Sequence, residues 1–441
     1  MIDPAALAEQ VAQLPPSVLL PDRNGTATAD VDALTLVDHL ELGAGRAVLV
    51  VEDGDGRLRV APAVVGPSGF RRARVGDGVS EALVRLLVAR SGEHGRFVVQ
   101  RLHGRPVSGE RAIGVDQTNE SVVVGETAVV KWLHHVSGDL HPAPGRLSLL
   151  DRAGFTAMPQ PWGFVFWRDD TDRHVLLATV DEYLDEATNG WTWGVDDVRR
   201  LCRGGLTLAE AVAPATQVGE MVASMHAAFA TAGIARADAG QRERWRQQAE
   251  AALAAAFVEV DGTEGERLRR QGRDIEDRQR AWSRPDDVPV IAVHGDLHVG
   301  QVLRYRTADG RPAYAITDFD GNPVLDSVER TAAQPAARDV AGYLQALDHV
   351  GRVVVKRVEG ADPLVVDSWI EAAQRAFMQA YRRGLEQAGE VGLLQEELLD
   401  PLRVEQECRE FLYAVRYDPT WRYVPDAAMA ALLATPAPSA D

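Results

Sequence analysis

The character of the sequence changes near residue 185, and this change constrains the fold more than any other feature. Before it, short runs of β-branched and aromatic residues alternate with turns. The segment RAVLVVEDGDGRLRVAPAVVG predicts a hairpin that turns between Asp53 and Gly56, and SVVVGETAVVKWL predicts another with Gly125 and Glu126 at its turn. After it, apolar residues recur with the 3.6-residue period of helices. A strand-rich part followed by a helix-rich part predicts an α+β chain with two lobes.

We predict three parts along the chain. Residues 1–108 form a small α+β module with a helix over SEALVRLLVAR. Residues 109–184 contribute most of an antiparallel sheet of about five strands, which begins near residue 97. Residues 185–441 are mainly helical, and VPVIAVHGDLHVGQVLRY and PAYAITDF are two β-rich islands within them. A chain of 441 residues exceeds the usual size of one hydrophobic core, so several subdomains are expected.

The formal net charge of −18 argues against partners that are themselves polyanions, such as nucleic acid or an anionic lipid surface. The chain starts without a basic stretch followed by an apolar one, and no segment has 18 uninterrupted apolar residues. Cys202 and Cys408 lack metal-ligand spacing and are expected to be small buried side chains in a reducing compartment. We therefore predict a cytoplasmic protein that binds small molecules rather than nucleic acid or membrane.

The two strand islands each place an acid on a loop. The segment HGDLHVGQ follows an apolar strand and carries Asp296 and Gln301, and the later strand YAIT leads into Asp318. Phosphoryl transfer needs a carboxylate near the acceptor hydroxyl and oxygen ligands that hold Mg²⁺ against the phosphates of ATP. Asp296 suits the first role, and Gln301 and Asp318 suit the second. The pattern predicts an ATP-dependent phosphotransferase that uses Mg²⁺.

A lysine stands among apolar residues in the strand TAVVKW. Lys131 and Lys356 are the only lysines among 47 basic side chains, so a position that keeps lysine is a candidate for a flexible ammonium. We predict that Lys131 pairs with the α- and β-phosphates of ATP. The alternative is that it protects the edge of the sheet from pairing with another chain.

The motif HGDLH with the later Asp318 resembles the catalytic signature of aminoglycoside phosphotransferase-like kinases. The longer HGDLHVGQVLR most resembles actinobacterial maltokinases and their glucosamine kinase relatives. QTNESVVVGETAVVKWL is similar to that family's nucleotide-covering hairpin, VDEYLDEATNGW to its interlobe hinge, and RDVAGYLQALDH to the helix after its metal loop. The resemblance covers the chain from Val115 to its end. It implies a eukaryotic protein kinase-like two-lobed fold, with 1–108 as an N-terminal cap subdomain, 109–184 as the nucleotide-binding N-lobe and 185–441 as a mainly helical C-lobe.

The same resemblance implies a role for each motif residue. Asp296 would be the catalytic base, and Gln301 and Asp318 would be the Mg²⁺ ligands. The residues that it assigns to ATP are Lys131, Ser121 and the hinge residues Asp181, Glu182, Tyr183 and Leu184.

Two departures from the family pattern affect these assignments. The chain has DFDGNP where maltokinases generally have DFEGEP. The helix expected to carry a lysine-pairing glutamate is HPAPGRLSLLDRAGF, with Gly145 near the expected place. Lys131 therefore either lacks its usual partner or pairs with Asp151 or another acid.

Two other functions fit parts of the pattern. The side chains that a two-metal phosphoesterase would use are Asp296, His298, Asp318 and Asp320. Such a site needs more histidines, and only His349 follows His298 in the sequence. A pseudokinase that binds ligands without turnover is compatible with the missing helix glutamate. Measuring ATP turnover with and without Mg²⁺, across a panel of sugars, separates these functions from a sugar kinase.

The acceptor site is expected in the C-terminal helices. The segment VEQECREFLY places Glu407 and Glu410 on one helix face, and Trp421 follows shortly after. Carboxylates accept hydrogen bonds from hydroxyls, and aromatic rings pack against sugar rings, so we assign these three residues to sugar binding, with Asp296 and His298. The alternative is a solvated glutamate face with Trp421 in the core. Two glutamates without a lysine between them suit a cationic amino sugar, so we predict glucosamine first, maltose second and aminoglycosides third.

Overall fold

The computed structural model describes residues 4–13, 19, 34–66, 69–113, 120–134, 136, 140–283, 287–307 and 309–434. The chain forms two compact units. The first comprises Met1–Asp151 and Pro159–Asp185, and the second comprises Arg152–Met158 and Glu186–Asp441. Whether residues 1–108 and 109–184 are separate subdomains stays a prediction. The start of the predicted nucleotide-covering segment, QTN at 117–119, lies outside the described residues.

The first unit is built mainly from short strands. Its elements are α1 (Pro4–Gln13), β1 (Leu34–Gly43), β2 (Arg46–Asp53), β3 (Leu58–Gly66), β4 (Gly69–Arg72), α2 (Val79–Ala89), β5 (Gly92–His94), β6 (Phe97–Arg101), β7 (Glu110–Ala112), β8 (Glu120–Val124), β9 (Ala128–Trp132), α3 (Pro142–Arg152), β10 (Pro161–Arg168) and β11 (His174–Glu182). One sheet has the order β1-β2-β3-β4, and the other has the order β5-β6-β10-β11-β9-β8-β7. Both predicted hairpins are confirmed, β2 with β3 and β8 with β9. The larger sheet has seven strands rather than about five, because β5 and β7 are too short to show a period.

The second unit is mainly helical. Its elements are α4 (Gly190–Cys202), α5 (Leu208–Ala230), β12 (Ala235–Arg236), α6 (Ala239–Glu259), α7 (Gly262–Arg270), α8 (Gly272–Gln279), β13 (Pro289–Val290), β14 (Val302–Arg306), β15 (Pro312–Ile316), α9 (Ser327–Thr331), α10 (Ala337–Arg357), α11 (Pro363–Ala388), α12 (Leu399–Arg416) and α13 (Tyr423–Ala434). Short 3-10 turns include Val299–Gln301 and Pro419–Trp421. The two predicted β-rich islands correspond to β13 with β14 and to β15, and β14 pairs with β15.

Apolar faces account for the packing within each unit. In β9, Ala128, Val130 and Trp132 are buried while the residues between them are partly exposed, as expected for a strand with one face on the core. In α10, every residue from Tyr343 to Gly351 is buried, so the middle of this helix is enclosed on all sides. No helix within the described ranges is both long and apolar enough to span a membrane.

Candidate active site

The loop between β13 and β14 carries Asp296, and a buried aspartate holds this loop. Asp339, in the first turn of α10, accepts hydrogen bonds from the backbone N–H groups of His294 (2.7 Å) and Gly295 (2.8 Å). Its Oδ2 is also 3.1 Å from Nε2 of His226. Burial alone would raise the pKa of Asp339, but His226 and the loop donors bring that pKa below its ordinary value. Asp339 is therefore an ionised anchor for the loop.

His294 connects this loop to the strand β15. Its side chain is fully buried; Nε2–H donates to the carbonyl of Thr317 (2.9 Å), and Nδ1 accepts from the N–H of Asp296 (3.3 Å). Its ring centroid is 5.0 Å from that of Phe319. Asp318 lies between Thr317 and Phe319, so one imidazole fixes the backbone beside both acids.

The carboxyl group of Asp296 is partly buried, and its surroundings change its acidity. Burial raises the pKa of Asp296 to about 6; His294 opposes the shift, and the charges of Asp318, Glu410 and Asp339 add to it. A carboxylate with this pKa is a stronger base than an ordinary aspartate and is still mostly ionised at neutral pH. Asp296 is thus suited to accept a proton from a hydroxyl group.

Gln301 and Asp318, the two predicted metal ligands, lie side by side. Gln301 ends the 3-10 turn that precedes β14, and Asp318 follows β15 with a φ of 64°. This left-handed backbone conformation is uncommon for a residue with a side chain. The Nε2 atom of Gln301 is 3.3 Å from Oδ2 of Asp318 and 3.3 Å from Nε2 of His298.

His298 indicates how the amide of Gln301 is oriented. Nδ1 of His298 accepts from the N–H of Gly300 (3.0 Å), and burial lowers the pKa of His298, so the neutral ring carries its proton on Nε2. That N–H needs an acceptor, which favours the amide orientation with Oε1 towards His298 and Asp318. A carboxylate oxygen and an amide oxygen then lie next to each other. Such a pair suits a hard divalent cation, so these residues fit Mg²⁺.

No cluster of three or more His, Cys, Asp or Glu that could hold a metal ion is found among the residues that the structure describes.

A carboxylate and two indole rings line the surface near Asp296. Glu410, on α12, accepts hydrogen bonds from Nε2 of Gln406 (3.0 Å) and Nε1 of Trp421 (2.9 Å). The ring of Trp421 meets that of Trp191 edge-on, with centroids 5.5 Å apart, and Trp191 is 6.4 Å from the ring of His298. All five side chains are partly exposed. The site thus offers aromatic faces and one oriented carboxylate to a small polar molecule.

The position of Trp191 depends on the glycine that precedes it. Gly190 begins α4 after the N-cap Asn189, and a Cβ atom at Gly190 would lie 1.9 Å from the carbonyl oxygen of Val299. Only glycine permits this close approach of the helix to the turn that carries Gln301.

Glu407, the other predicted sugar ligand, does not line this surface. Its side chain is fully buried, and its Oε1 accepts hydrogen bonds from Nε2 of His349 (2.8 Å) and from the amide of Gln345. The helix spacing places Glu407 and Glu410 on neighbouring positions, but only Glu410 is exposed to a ligand. We therefore keep Glu410 as the candidate contact.

In the first unit, two of the predicted nucleotide residues, Ser121 and Lys131, lie in a polar row across the larger sheet. Ser121 on β8, Lys131 on β9 and Thr179 on β11 are directly opposite one another, and Thr179 Oγ1 donates to Oδ2 of Asp181 (3.0 Å). Opposite residues of neighbouring strands share a face of the sheet. Lys131 therefore lies on the less buried face of β9 beside two hydroxyl groups. This placement fits a role in binding phosphates.

Asp151, which we considered as a partner for Lys131, has a different contact. It lies near the end of α3, and its Oδ1 is 2.7 Å from Nε2 of His103. Gly145 lies within the same helix, as the sequence predicts.

The predicted hinge segment has two of its backbone donors occupied. The N–H of Glu182 donates to the carbonyl of Gln160 (2.8 Å), and the N–H of Tyr183 donates to the carbonyl of Thr127 (2.9 Å). Within the described part of the chain, the N–H of Leu184 makes no hydrogen bond. The N–H of Leu184 is therefore the candidate hinge donor for a nucleotide base.

Three residues of the second-unit site were not assigned from the sequence: Trp191, Gln406 and Asp339. Asp339 had only a general signal: an aspartate is favoured in the first turn of a helix, and nothing in its residue type predicts burial. Gln406 stands one helical turn before Glu410, a spacing that brings side chains together. Trp191 had no signal of its own, since only the fold brings it near Trp421.

The chain was compared with known proteins. No family model matches it. A curated glucosamine kinase of Streptacidiphilus jiangxiensis is 46% identical over 433 residues, which are 97% of this chain and 98% of that protein. A curated glucosamine kinase of Mycolicibacterium smegmatis is 42% identical over 401 residues, 90% of this chain and 98% of that protein. A solved glucosamine kinase in complex with glucosamine, ADP and inorganic phosphate has a TM-score of 0.84 at 45% identity, covering 97% of this chain and 99% of that one. The predicted α+β kinase-like fold is confirmed by this similarity.

Proposed function

This chain belongs to the glucosamine kinase family, and on that premise we propose that it transfers the γ-phosphate of ATP to a hydroxyl group of glucosamine. The observation that carries the proposal is the carboxylate of Glu410, which is oriented by two neutral donors and is close enough to Asp296 to raise its pKa. Glucosamine has a hydroxyl for Asp296 and an ammonium for Glu410. Its ring can pack against the indoles of Trp191 and Trp421.

In the proposed reaction, Asp296 orients the acceptor hydroxyl and takes its proton while the hydroxyl oxygen bonds to the γ-phosphorus and ADP leaves. His294 and Asp339 keep the loop in place for that step. Gln301 and Asp318 would hold Mg²⁺, which neutralises charge on the phosphates when it is bound.

In the first unit, the proposed nucleotide contacts are the ammonium of Lys131 for the phosphates and the N–H of Leu184 for the base. Ser121 lies directly opposite Lys131, and Asp181 accepts a hydrogen bond from Thr179, the residue opposite Lys131 on β11. We propose that Glu182 and Tyr183 contribute through their carbonyl groups and side chains, because their N–H groups are already bonded. A cytoplasmic location and the lack of nucleic-acid and membrane partners stay predictions from charge and composition.

The direct test is a panel of acceptors with ATP. The purified chain is incubated with glucosamine, glucose, maltose and an aminoglycoside, each with Mg²⁺ and with the metal removed by a chelator. We expect the highest kcat/KM for glucosamine and no turnover without the metal. A preference for maltose would overturn the proposal in favour of a maltokinase, and binding of ATP without turnover of any sugar would indicate a pseudokinase.

Replacing Glu410 with glutamine tests the ammonium contact. Since the variant keeps the shape and loses the charge, kcat/KM for glucosamine should fall by roughly ten- to a hundred-fold, the value of a charge-assisted hydrogen bond of about 1.5–3 kcal/mol. The kcat/KM for glucose, which has no ammonium, should change much less. An equal loss for both sugars would mean that Glu410 holds a hydroxyl group or the local structure.

Replacing Asp318 with asparagine tests the metal assignment. The variant loses the only charged member of the oxygen pair, so we expect a higher Mg²⁺ concentration for half-maximal activity and weaker binding of the ATP–Mg²⁺ complex. The measurement is a Mg²⁺ titration of kcat at fixed ATP. Asp309→Asn, on the exposed turn between β14 and β15, is the matched control. An Asp318→Asn titration that matches the parent's would remove Asp318 from the metal site.

A further inference from the structure

The two glutamates one turn apart on α12 have opposite surroundings. Glu407 is fully buried, and Glu410 is partly exposed beside Asp296. Two carboxylates this close on one helix repel each other, so both stay ionised only if something compensates one of the charges.

The compensating group is His349, on α10. Its Nε2 is 2.8 Å from Oε1 of Glu407, and both side chains are almost completely buried. The amide of Gln345 donates to the same oxygen, and Oε2 of Glu407 has no hydrogen-bond partner in the described residues. In the described part of the chain, the imidazole of His349 is therefore the only charged group that donates a hydrogen bond to Glu407.

Several charges act on His349. Burial alone would lower the pKa of His349, but the charge and hydrogen bond of Glu407, with the charges of Glu410 and Asp348, raise it to about 9. His298 is a further titratable neighbour, since the charge of His349 also acts on it. Burial also raises the pKa of Glu407, while His349 opposes that shift. The pair thus holds its shared proton on the imidazole at neutral pH.

Other cations near the pair are already engaged. Arg352 donates to both carboxylate oxygens of Asp348 (2.8 and 3.0 Å). Arg403 donates to the side-chain oxygen of Gln345, and its own charge is felt at Glu407. Neither arginine is bonded to Glu410 in the described residues, whereas the charge of Glu410 does act on His349.

Among the residues that the structure describes, Glu410 is held by neutral groups alone. The amide of Gln406 and the indole N–H of Trp421 each donate to one of its oxygens. Neutral donors fix the direction of a carboxylate without cancelling its charge. The imidazole of His349 is close by, since its ring meets that of Trp421 edge-on with centroids 6.2 Å apart.

We infer that Glu407 is the internal counter-ion of His349, and that it keeps the imidazolium from pairing with Glu410, so that Glu410 stays available to the ammonium of the acceptor. The inference rests on the proposed function, because it concerns a cationic acceptor. Glu407 is then a positioning residue that sets specificity for a charged substrate without touching it. Asp348 also acts on His349 but is already paired with Arg352, so removing Glu407 would turn the buried cation towards Glu410, in competition with the substrate.

The test compares the parent, Glu407→Gln and the double variant Glu407→Gln/His349→Gln. For Glu407→Gln, kcat/KM for glucosamine should fall by roughly ten-fold, because His349 competes for Glu410, while kcat/KM for glucose should stay within about two-fold of the parent's. The double variant removes the imidazolium together with its counter-ion, and Arg352 and Arg403 stay bonded to Asp348 and Gln345. It should therefore recover most of the glucosamine activity.

The pH profile adds a result that a purely structural role would not produce. Without Glu407, burial should lower the pKa of His349 into the range of the assay. The ratio of parent to Glu407→Gln activity on glucosamine should therefore shrink from pH 6 to pH 8, as His349 loses its proton and releases Glu410. The amine of glucosamine also titrates, but this affects the parent and the variant equally, so it cancels when their activities are divided at each pH.

The outcomes separate this inference from the proposed function. If the parent does not phosphorylate glucosamine, the proposed function fails. If the parent does so, but Glu407→Gln loses glucosamine and glucose activity equally and the double variant shows no recovery, Glu407 is structural and the inference is overturned. If Glu407→Gln does not fold by circular dichroism, the double variant decides: it must prefer glucosamine over glucose as the parent does, and a lost preference overturns the inference.

Discussion

Replacing Asp296 with asparagine is expected to lower kcat for glucosamine phosphorylation by about 10²- to 10⁴-fold, the usual contribution of a general base. Asparagine keeps the shape of the side chain, but it cannot accept the hydroxyl proton. ATP affinity should stay within a few-fold of the parent's, because the proposed nucleotide contacts belong to other residues. The measurement is kcat under saturating glucosamine and ATP, together with nucleotide binding by titration calorimetry.

The same substitution should make the protein more stable at alkaline pH. The native pKa of Asp296, about 6, lies above its ordinary value of 3.8, so ionisation in the folded state is costly. Because the native pKa is the higher of the two, the protonated side chain stabilises the folded protein at low pH, and this stabilisation is lost as pH rises through 6. Ionisation of Asp296 in the folded protein lowers the free energy of unfolding by at most about 3 kcal/mol, and the Asp296→Asn variant does not have this loss.

The difference in melting temperature between Asp296→Asn and the parent should therefore be larger at pH 8 than at pH 5. Asp309→Asn serves as the control for a change of net charge, because Asp309 lies on an exposed turn. Near-normal kcat in Asp296→Asn would remove Asp296 from the role of base. An equal stability difference at both pH values would show that its pKa is not raised in the folded protein.

Part of the site could be predicted from the sequence because short segments fix it. Asp296 and Gln301 are separated by one loop and one 3-10 turn, and Asp318 follows a strand that pairs with the strand after Gln301. Adjacent strands bring such residues together without help from distant parts of the chain. The side-by-side placement of Gln301 and Asp318 follows from this local order.

The rest depends on packing between elements that are far apart in the sequence. Helical spacing puts Glu407 and Glu410 on neighbouring positions, but only the contact with α10 decides that Glu407 is buried against His349. Trp191 meets Trp421 across more than half of the chain, and no periodicity shows that contact. The strands β5 and β7 could not be predicted for a simpler reason, since three residues are too few to show an alternation of apolar and polar positions.

Replacing Asp339 with asparagine is expected to cost about 3–5 kcal/mol of stability, the range for breaking a buried ionic hydrogen-bond network. The aspartate accepts from two backbone N–H groups, one on each oxygen. An asparagine has one oxygen, so its NH₂ group would face one of those donors and leave it unpaired. His226 would lose its anionic partner at the same time.

Because the loop carries Asp296, kcat should also fall by about 10- to 100-fold at temperatures where the variant is folded. Asp197→Asn is the matched control: Asp197 is also a buried aspartate in an ion pair, with Arg304 at 2.7 Å, and it does not bond the loop. We expect the Asp197→Asn variant to melt at a lower temperature than the parent and to keep a near-normal kcat.

The pH dependence of stability follows from the acidity of Asp339. The native pKa of Asp339 lies below 3.8, so its contribution to stability is complete above that pH and is lost only as pH falls through the native pKa. The stability gap between Asp339→Asn and the parent should therefore persist from pH 5 to pH 9, and a kcat equal to the parent's would show that the loop keeps its geometry without this anchor.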